Sequence, residues 1–164
     1  MTQHYYEVRL ERDLGEIKAQ VSQIAGLVAK AIRQSVDALE RQDHQLAYQT
    51  IVDDNPINRA VEACDSACHR FVARHLPTAG HLRFISSVMR LNVGMERVCD
   101  YAVTVCREVV KLTGPLDHET LDRIKVIAVG STEMFEQSIS AFVEGNAELA
   151  RGTMAFESQI DRSY

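Results

Sequence analysis

The stretch that decides the fold is Met95-Glu96-Arg97-Val98-Cys99-Asp100-Tyr101-Ala102-Val103. Its apolar residues recur every three or four positions, which is the period of one face of an α-helix. Glu96 and Asp100 lie four residues apart, so both carboxylates project from the same side of that helix. Like charges at this spacing repel by a few tenths of a kcal/mol unless a cation lies between them. Two interpretations follow, a solvated face beside Arg97 and Arg107 or half of a metal site.

The composition is that of a soluble globular protein, with 46% hydrophobic and 25% charged residues in 164. A formal net charge of −5 argues against a nucleic-acid binder, because that function needs a basic surface. No apolar run approaches the roughly 18 residues of a membrane span, and the polar N-terminus lacks the apolar core of a signal peptide. We therefore expect a cytoplasmic protein without membrane insertion, whose four cysteines are reduced.

Helical periodicity runs through the chain and predicts an all-α fold. After an N-terminal tail over residues 1–9, the pattern predicts helices over residues 10–41, 44–74, 79–112 and 117–144, and a fifth helix from Ala147. Asp43 is the expected N-cap of the second helix. Pro56 falls inside that helix, which either bends there or restarts with Asp54 or Asn55 as the cap and Pro56 in the first turn. We favour a bend that leaves the apolar stripe largely uninterrupted.

An internal repeat relates the two halves of the chain at a shift of 103 residues. Positions 24–59 and 127–162 share ten identities in thirty-six, including Gln34-Ser35 with Gln137-Ser138. The pattern predicts one complete three-helix bundle over residues 10–113 and a partial second repeat over residues 114–164, whose third helix would fall beyond Tyr164. We expect the apolar groove left by that helix to favour a homo-oligomer.

A polar stripe on the second predicted helix carries the other candidate ligands, Asp54, Asn58 and Asp65. This helix is joined to the next by a short turn, so the two should lie antiparallel and bring this stripe toward Glu96 and Asp100. Carboxylates from two neighbouring helices can bind a divalent or trivalent cation. Spacing alone leaves the alternative open that these residues are solvated charges beside a core.

The cysteines fit a core better than a zinc site. Cys64 and Cys68 belong to an apolar seam with Ile57, Val61 and Phe71, spaced four, three, four and three residues apart. The remaining two cysteines, Cys99 and Cys106, fall at the centre of the apolar face of the next helix.

Sequence signatures of catalysis are missing. The chain has no Glu-x-x-His pair of the kind found in di-iron bundles, no glycine-rich phosphate loop and no nucleophile elbow. We therefore expect a protein that is not an enzyme.

Two motifs resemble the PhoU family. Residues 77–83, Pro-Thr-Ala-Gly-His-Leu-Arg, are similar to the turn in that family, and Glu96-Arg97-Val98-Cys99-Asp100 is similar to its Glu-Arg-x-x-Asp helix. The resemblance covers the chain from about Leu10. It implies a PhoU-like antiparallel bundle built from repeated three-helix units.

The resemblance also implies a site and a function. It implies surface metal binding, in some members an iron cluster, by Glu96, Asp100, Asp54, Asn58 and Asp65, with Glu157 and Asp161 beginning a second site. It implies a negative regulator of the phosphate-starvation response, whose partners are a phosphate ABC transporter ATPase and a sensor histidine kinase. The alternative is a helical bundle with a structural or metal-handling role unrelated to phosphate.

Overall fold

The computed structural model describes the backbone of residues 2–160 and the side chains of residues 4–154. Within that part of the chain all regular structure is helical, which confirms the predicted all-α class. The six helices are α1 (Thr2–Arg41), α2 (His44–Val52), α3 (Asp54–His75), α4 (Ala79–Lys111), α5 (His118–Glu144) and α6 (Ala147–Ile160). None of these helices combines the length and apolarity needed to cross a lipid bilayer.

Helix α1 begins eight residues earlier than predicted. Residues 2–9 belong to the helix, although the sequence predicted a tail there. The prediction stopped at Leu10 because the buried apolar stripe begins at that residue, and residues 4–9 are exposed. Tyr6 ties the additional turns to the rest of the protein, since its hydroxyl donates a 2.7 Å hydrogen bond to the carbonyl of His75.

The predicted bend at Pro56 is wrong, because the chain ends one helix at Val52 and begins another at Asp54. Proline has no backbone N–H, so Pro56 cannot donate to the carbonyl of Val52, and its ring crowds that carbonyl. Pro56 is instead the third residue of α3, in the first turn, where its missing N–H leaves no helical hydrogen bond unmade.

The bundle is centred on α1, which contacts α2, α3, α4 and α5. The main core joins the apolar face of α1 to the predicted seams of α3 and α4. The five seam residues of α3, Ile57, Val61, Cys64, Cys68 and Phe71, are all buried, as predicted. All four cysteines are buried free thiols in the packed interior, which confirms the prediction of core thiols. Helix α5 adds Ile139 to the same core, so the two repeats share apolar packing.

The turn between α1 and α2 and the turn between α5 and α6 have the same geometry, which supports the internal repeat. Each contains one residue with positive φ, Gln42 at 49° and Gly145 at 70°. The next residue is then the N-cap of the following helix: Asp43 accepts from the Leu46 amide at 2.9 Å, and Asn146 accepts from the Leu149 amide at 3.0 Å.

Equivalent threonines and a salt bridge extend this match into the helices. The hydroxyls of Thr50 and Thr153 both donate to the carbonyl four residues earlier, each at 2.9 Å, and both residues are buried. Arg33 and Glu136 occupy the same position in the two repeats, and they form a 2.9 Å ion pair where α1 and α5 pack together. The two repeats are therefore related by an approximate two-fold axis that passes near this pair.

A buried charge cluster joins the start of α1 to the end of α3. The Asp13 side chain is only 9% exposed and lies 2.8 Å from the Arg74 guanidinium and 2.9 Å from Nε2 of His75. Arg12 adds a third contact at 3.0 Å. The hydrogen bond from His75, followed by those from the two arginines, holds the pKa of Asp13 well below its ordinary value despite burial.

We expect Asp13→Asn to lower the free energy of unfolding at pH 7 by about 2–3 kcal/mol, because it removes one charge from a buried, hydrogen-bonded cluster. Because the pKa of Asp13 is lower in the folded state, its stabilisation is present above about pH 4 and is lost as the pH falls toward the folded-state value. Urea unfolding of both proteins between pH 3 and pH 7 measures the difference.

The matched control is Glu16→Gln, which removes an exposed carboxylate 3.7 Å from the same Arg12. An exposed pair of this kind contributes about 0–1 kcal/mol, so this variant should unfold almost as the wild type does. A difference between Asp13→Asn and wild type that does not change with pH would contradict the electrostatic explanation.

Candidate functional site

The candidate site lies at the interface of α3 and α4, which are antiparallel neighbours, as predicted. The first turns of α3 bring Asp54 and Asn58 together, and the Asn58 side-chain amide donates a 2.8 Å hydrogen bond to Oδ2 of Asp54. Both side chains are half-buried. The remaining oxygen of each side chain, Oδ1, is buried and has no hydrogen-bond partner. This end of α3 therefore presents two buried oxygens that accept no hydrogen bond in good geometry from a described residue, and the Asp54 carboxylate lies beside the Cys99 thiol.

Farther along the interface, Asp65 contacts α4 through Asn92. The Asn92 amide donates a 2.6 Å hydrogen bond to Oδ1 of Asp65, while its own Oδ1 is buried without a partner. Asn92 is completely buried, at a position of the α4 seam between Val88 and Met95. The sequence analysis missed Asn92, although a polar residue at an apolar seam position was a signal that could have identified it.

Glu96 and Asp100 lie on α4 with exposed side chains. Among the described residues, neither carboxylate forms an ion pair or a hydrogen bond with α3; the Asp100 backbone carbonyl accepts from the Thr104 hydroxyl. The structure thus places Asp65 against α4 but does not link the Glu96 and Asp100 carboxylates to the Asp54–Asn58 pair. The predicted second site, Glu157 and Asp161, lies outside the described part of the chain, because neither the side chain of Glu157 nor any part of Asp161 is described.

The buried thiols lie beside these polar groups. The neighbouring Cys68 thiol lowers the pKa of Cys64, with a smaller contribution from Asn92, and the same pairing raises the pKa of Cys68. Burial, followed by the nearby carboxylate of Asp54, raises the pKa of Cys99 to about 12. A thiol with a raised pKa stays protonated near neutral pH, which suits packing and not metal coordination.

The oxygen atoms of the candidate ligands are of the chemical type that hard cations bind, but they do not form a complete coordination shell. Carboxylate and amide oxygens are the ligands that such cations prefer, and the unpartnered oxygens of Asp54 and Asn58 are of this kind. Among the described side chains of residues 4–154, however, no three of His, Cys, Asp and Glu converge in a geometry suited to a metal ion. These residues fit part of a coordination shell, which water or additional carboxylates would have to complete.

Known proteins resemble this chain over nearly its whole length. A "Phosphate-specific transport system accessory protein PhoU homolog" from Pseudomonas aeruginosa is 28% identical over 163 residues, which cover 98% of this chain and 67% of the relative. The Escherichia coli protein named "Phosphate-specific transport system accessory protein PhoU" is 25% identical over 152 residues, 93% of this chain and 63% of the relative. The chain thus spans about two thirds of the length of these relatives.

Solved structures share the fold. The crystal structure of PhoU from Pseudomonas aeruginosa superposes with a TM-score of 0.87 at 28% identity, covering 94% of this chain and 74% of that one. The phosphate transport system regulatory protein PhoU from Streptococcus pneumoniae gives a TM-score of 0.85 at 26% identity. The PhoU domain model matches residues 21–109, from the core of α1 to the last turns of α4, and the chain therefore belongs to the PhoU domain family.

Proposed function

We propose that this chain is a regulatory accessory protein of phosphate uptake and not an enzyme. The observation that carries the proposal is the match along 98% of the chain to a relative named as an accessory protein of phosphate-specific transport. The shared helical architecture supports it, because the solved structure that superposes at a TM-score of 0.85 is named a regulatory protein of phosphate transport. In this proposal the protein acts in the cytoplasm through contacts with other proteins.

The proposed partners are the ATPase of a phosphate ABC transporter and a sensor histidine kinase. The protein would restrain the kinase when phosphate is abundant, and so act as a negative regulator of the phosphate-starvation response. The helices of the described residues offer broad side-chain faces for such contacts, and a net charge of −5 favours protein partners over nucleic acid.

Deleting the gene should raise the expression of phosphate-starvation genes in phosphate-rich medium, because the restraint on the kinase is lost. A reporter under a phosphate-responsive promoter measures the effect, and a plasmid copy of the wild-type gene should reverse it. Unchanged reporter activity at high and low phosphate would contradict the regulatory role.

The tagged protein should also co-purify with the transporter ATPase or the kinase, in amounts that change with phosphate supply. The control is the Glu16→Gln variant, which removes one exposed charge and should fold almost as the wild type does. Recovery of neither partner at any phosphate concentration would contradict the proposed coupling.

We further propose that the α3–α4 face binds metal, either as a divalent or trivalent cation or as an iron cluster. Asp54 and Asn58 would supply oxygen ligands from α3, and Glu96 and Asp100 would supply exposed carboxylates from α4. The unpartnered oxygens on α3 support this assignment, because a buried acceptor without a donor costs about 1–3 kcal/mol that a bound cation would offset. The cation would neutralise the repulsion between Glu96 and Asp100.

Replacing Glu96 by Gln or Asp100 by Asn should reduce the bound metal by at least about half, because each change removes a charged ligand and keeps the side-chain shape. Elemental analysis of protein purified without chelators or a histidine tag measures the metal content. The matched control is Glu108→Gln, since Glu108 is an exposed acid of α4 already paired with Lys111 at 2.7 Å. Equal and negligible metal in all four proteins would exclude the site.

A further inference from the structure

Asn92 is a polar residue in the middle of an apolar seam. Its neighbours along this seam of α4 are Val88 and Met95, and all three residues are at most 1% exposed. Burying a side-chain amide is unfavourable unless its polar atoms form hydrogen bonds. Only part of the Asn92 amide is satisfied, because its Oδ1 has no partner. An apolar side chain would fill this position at lower cost, so packing alone does not explain an asparagine here.

The contacts of Asn92 indicate that it holds Asp65. The Asn92 amide nitrogen donates a 2.6 Å hydrogen bond to Oδ1 of Asp65 across the α3–α4 interface. The Cys64 thiol also lies near this amide, but a thiol is a weaker acceptor than a carboxylate. Among the described residues, Oδ2 of Asp65 has no hydrogen-bond partner. One oxygen of the carboxylate is therefore fixed, and the other can bind a ligand.

A neutral donor orients a carboxylate without neutralising its charge. Asp13 has the opposite arrangement, because Arg12, Arg74 and His75 surround its carboxylate in a structural cluster. Within the part of the chain that the structure describes, Asp65 forms no ion pair with a basic residue. Its negative charge thus remains available to a cation. In metal sites, carboxylate ligands are commonly held by a hydrogen bond of this kind, from a group that does not touch the metal.

The register of the two helices brings Asp65 to the candidate site. Helices α3 and α4 are antiparallel, with Asp65 against Asn92 at one point and Asp54 beside the Cys99 thiol at another. Glu96 falls between these two contacts on α4. Antiparallel packing therefore places Glu96 between Asp54 and Asp65 along the interface.

The spacing on α4 gives the same result. Asn92, Glu96 and Asp100 lie four residues apart, so they project from successive turns on one side of the helix. Asn92 is buried, whereas Glu96 and Asp100 are exposed. The row thus leads from the helix interface to the surface, and the hydrogen bond from Asn92 holds Asp65 at its buried end.

We propose that Asn92 is a positioning residue for the α3–α4 cation site and that it makes Asp65 a ligand of that site. The inference rests on the cation site proposed above and adds Asp65 to the oxygen ligands named there. Oδ2 of Asp65 would bind the cation, while Asn92 would hold Oδ1 and make no contact with the cation.

Asn92→Leu tests this role, because leucine has the branched shape of asparagine without its polar atoms. We expect the variant to unfold at the same urea concentration as the wild type or at a higher one, since the seam loses a half-satisfied amide. We expect its affinity for Mn²⁺, a cation that oxygen ligands bind, to fall about tenfold or more, because Asp65 is no longer oriented. The EPR signal of free Mn²⁺ in titrations of metal-free protein measures the dissociation constant.

A double-mutant cycle shows whether Asn92 acts through Asp65. Asp65→Asn should weaken Mn²⁺ binding at least as much as Asn92→Leu does. The variant with both changes should bind no more weakly than Asp65→Asn alone, whereas independent contributions would multiply the two losses. The matched control is Thr132→Val, which makes a buried polar side chain apolar outside this interface and should leave Mn²⁺ affinity unchanged.

The possible outcomes separate the role of Asn92 from the cation site itself. If Glu96→Gln weakens Mn²⁺ binding but Asn92→Leu and Asp65→Asn do not, the cation site stands and the role of Asn92 is excluded. Lower stability of Asn92→Leu with unchanged Mn²⁺ affinity would show that Asn92 only stabilises the interface, which also overturns the proposal. A wild-type protein that binds no Mn²⁺ would overturn the cation site together with this inference.

Discussion

The structure depends on α1 packing on two sides at once. One stripe of this helix, including Val21, Ile24 and Val28, is buried against α3 and α4, while the next stripe faces α5. At the α5 contact, Ala29 and its repeat equivalent Thr132 are both buried. A small residue at each position permits close approach of the two backbones. The first repeat therefore cannot be packed without also fixing the position of α5.

Helix positions and core residues were predictable because they follow from local periodicity. The seams of α3 and α4, the Asp43 cap and the ends of α4 all depend on residues within one or two turns of each other. The repeat was also visible, and its turn geometry is conserved in Gln42 and Gly145 although the two residues differ. Where local pattern and tertiary contact disagree, sequence reasoning failed: Tyr6 extends α1 through a contact sixty-nine residues away.

The candidate site was predictable in its residues but not in its pairings. Winding the sequence onto helices places Asp54, Asn58 and Asp65 on one stripe, and it shows which helix that stripe faces. It does not show which polar atom across the interface receives each hydrogen bond. That depends on rotation and stagger of the two helices, which are set by packing of the whole bundle. Asp65 therefore pairs with Asn92, which belongs to the apolar seam of α4 and not to either polar stripe.

The polar groups of the α3–α4 interface differ from the buried threonines of the bundle. Thr50, Thr132 and Thr153 are buried and each returns a hydrogen bond to its own helix. At the α3–α4 interface, by contrast, Asp54, Asn58 and Asn92 each leave a buried oxygen without a donor. Apolar residues of similar size would avoid the desolvation cost of about 1–3 kcal/mol for each group.

Three such oxygens at one interface support the proposed cation site. Departures from consistent packing concentrate at functional positions, where the cost is compensated by what the group does. The oxygens lie on the two helices that carry all five candidate ligands within the described residues. The interface is therefore where we propose a cation site, whereas the α1–α5 contact, with its satisfied threonine and its Arg33–Glu136 ion pair, has the character of a structural contact.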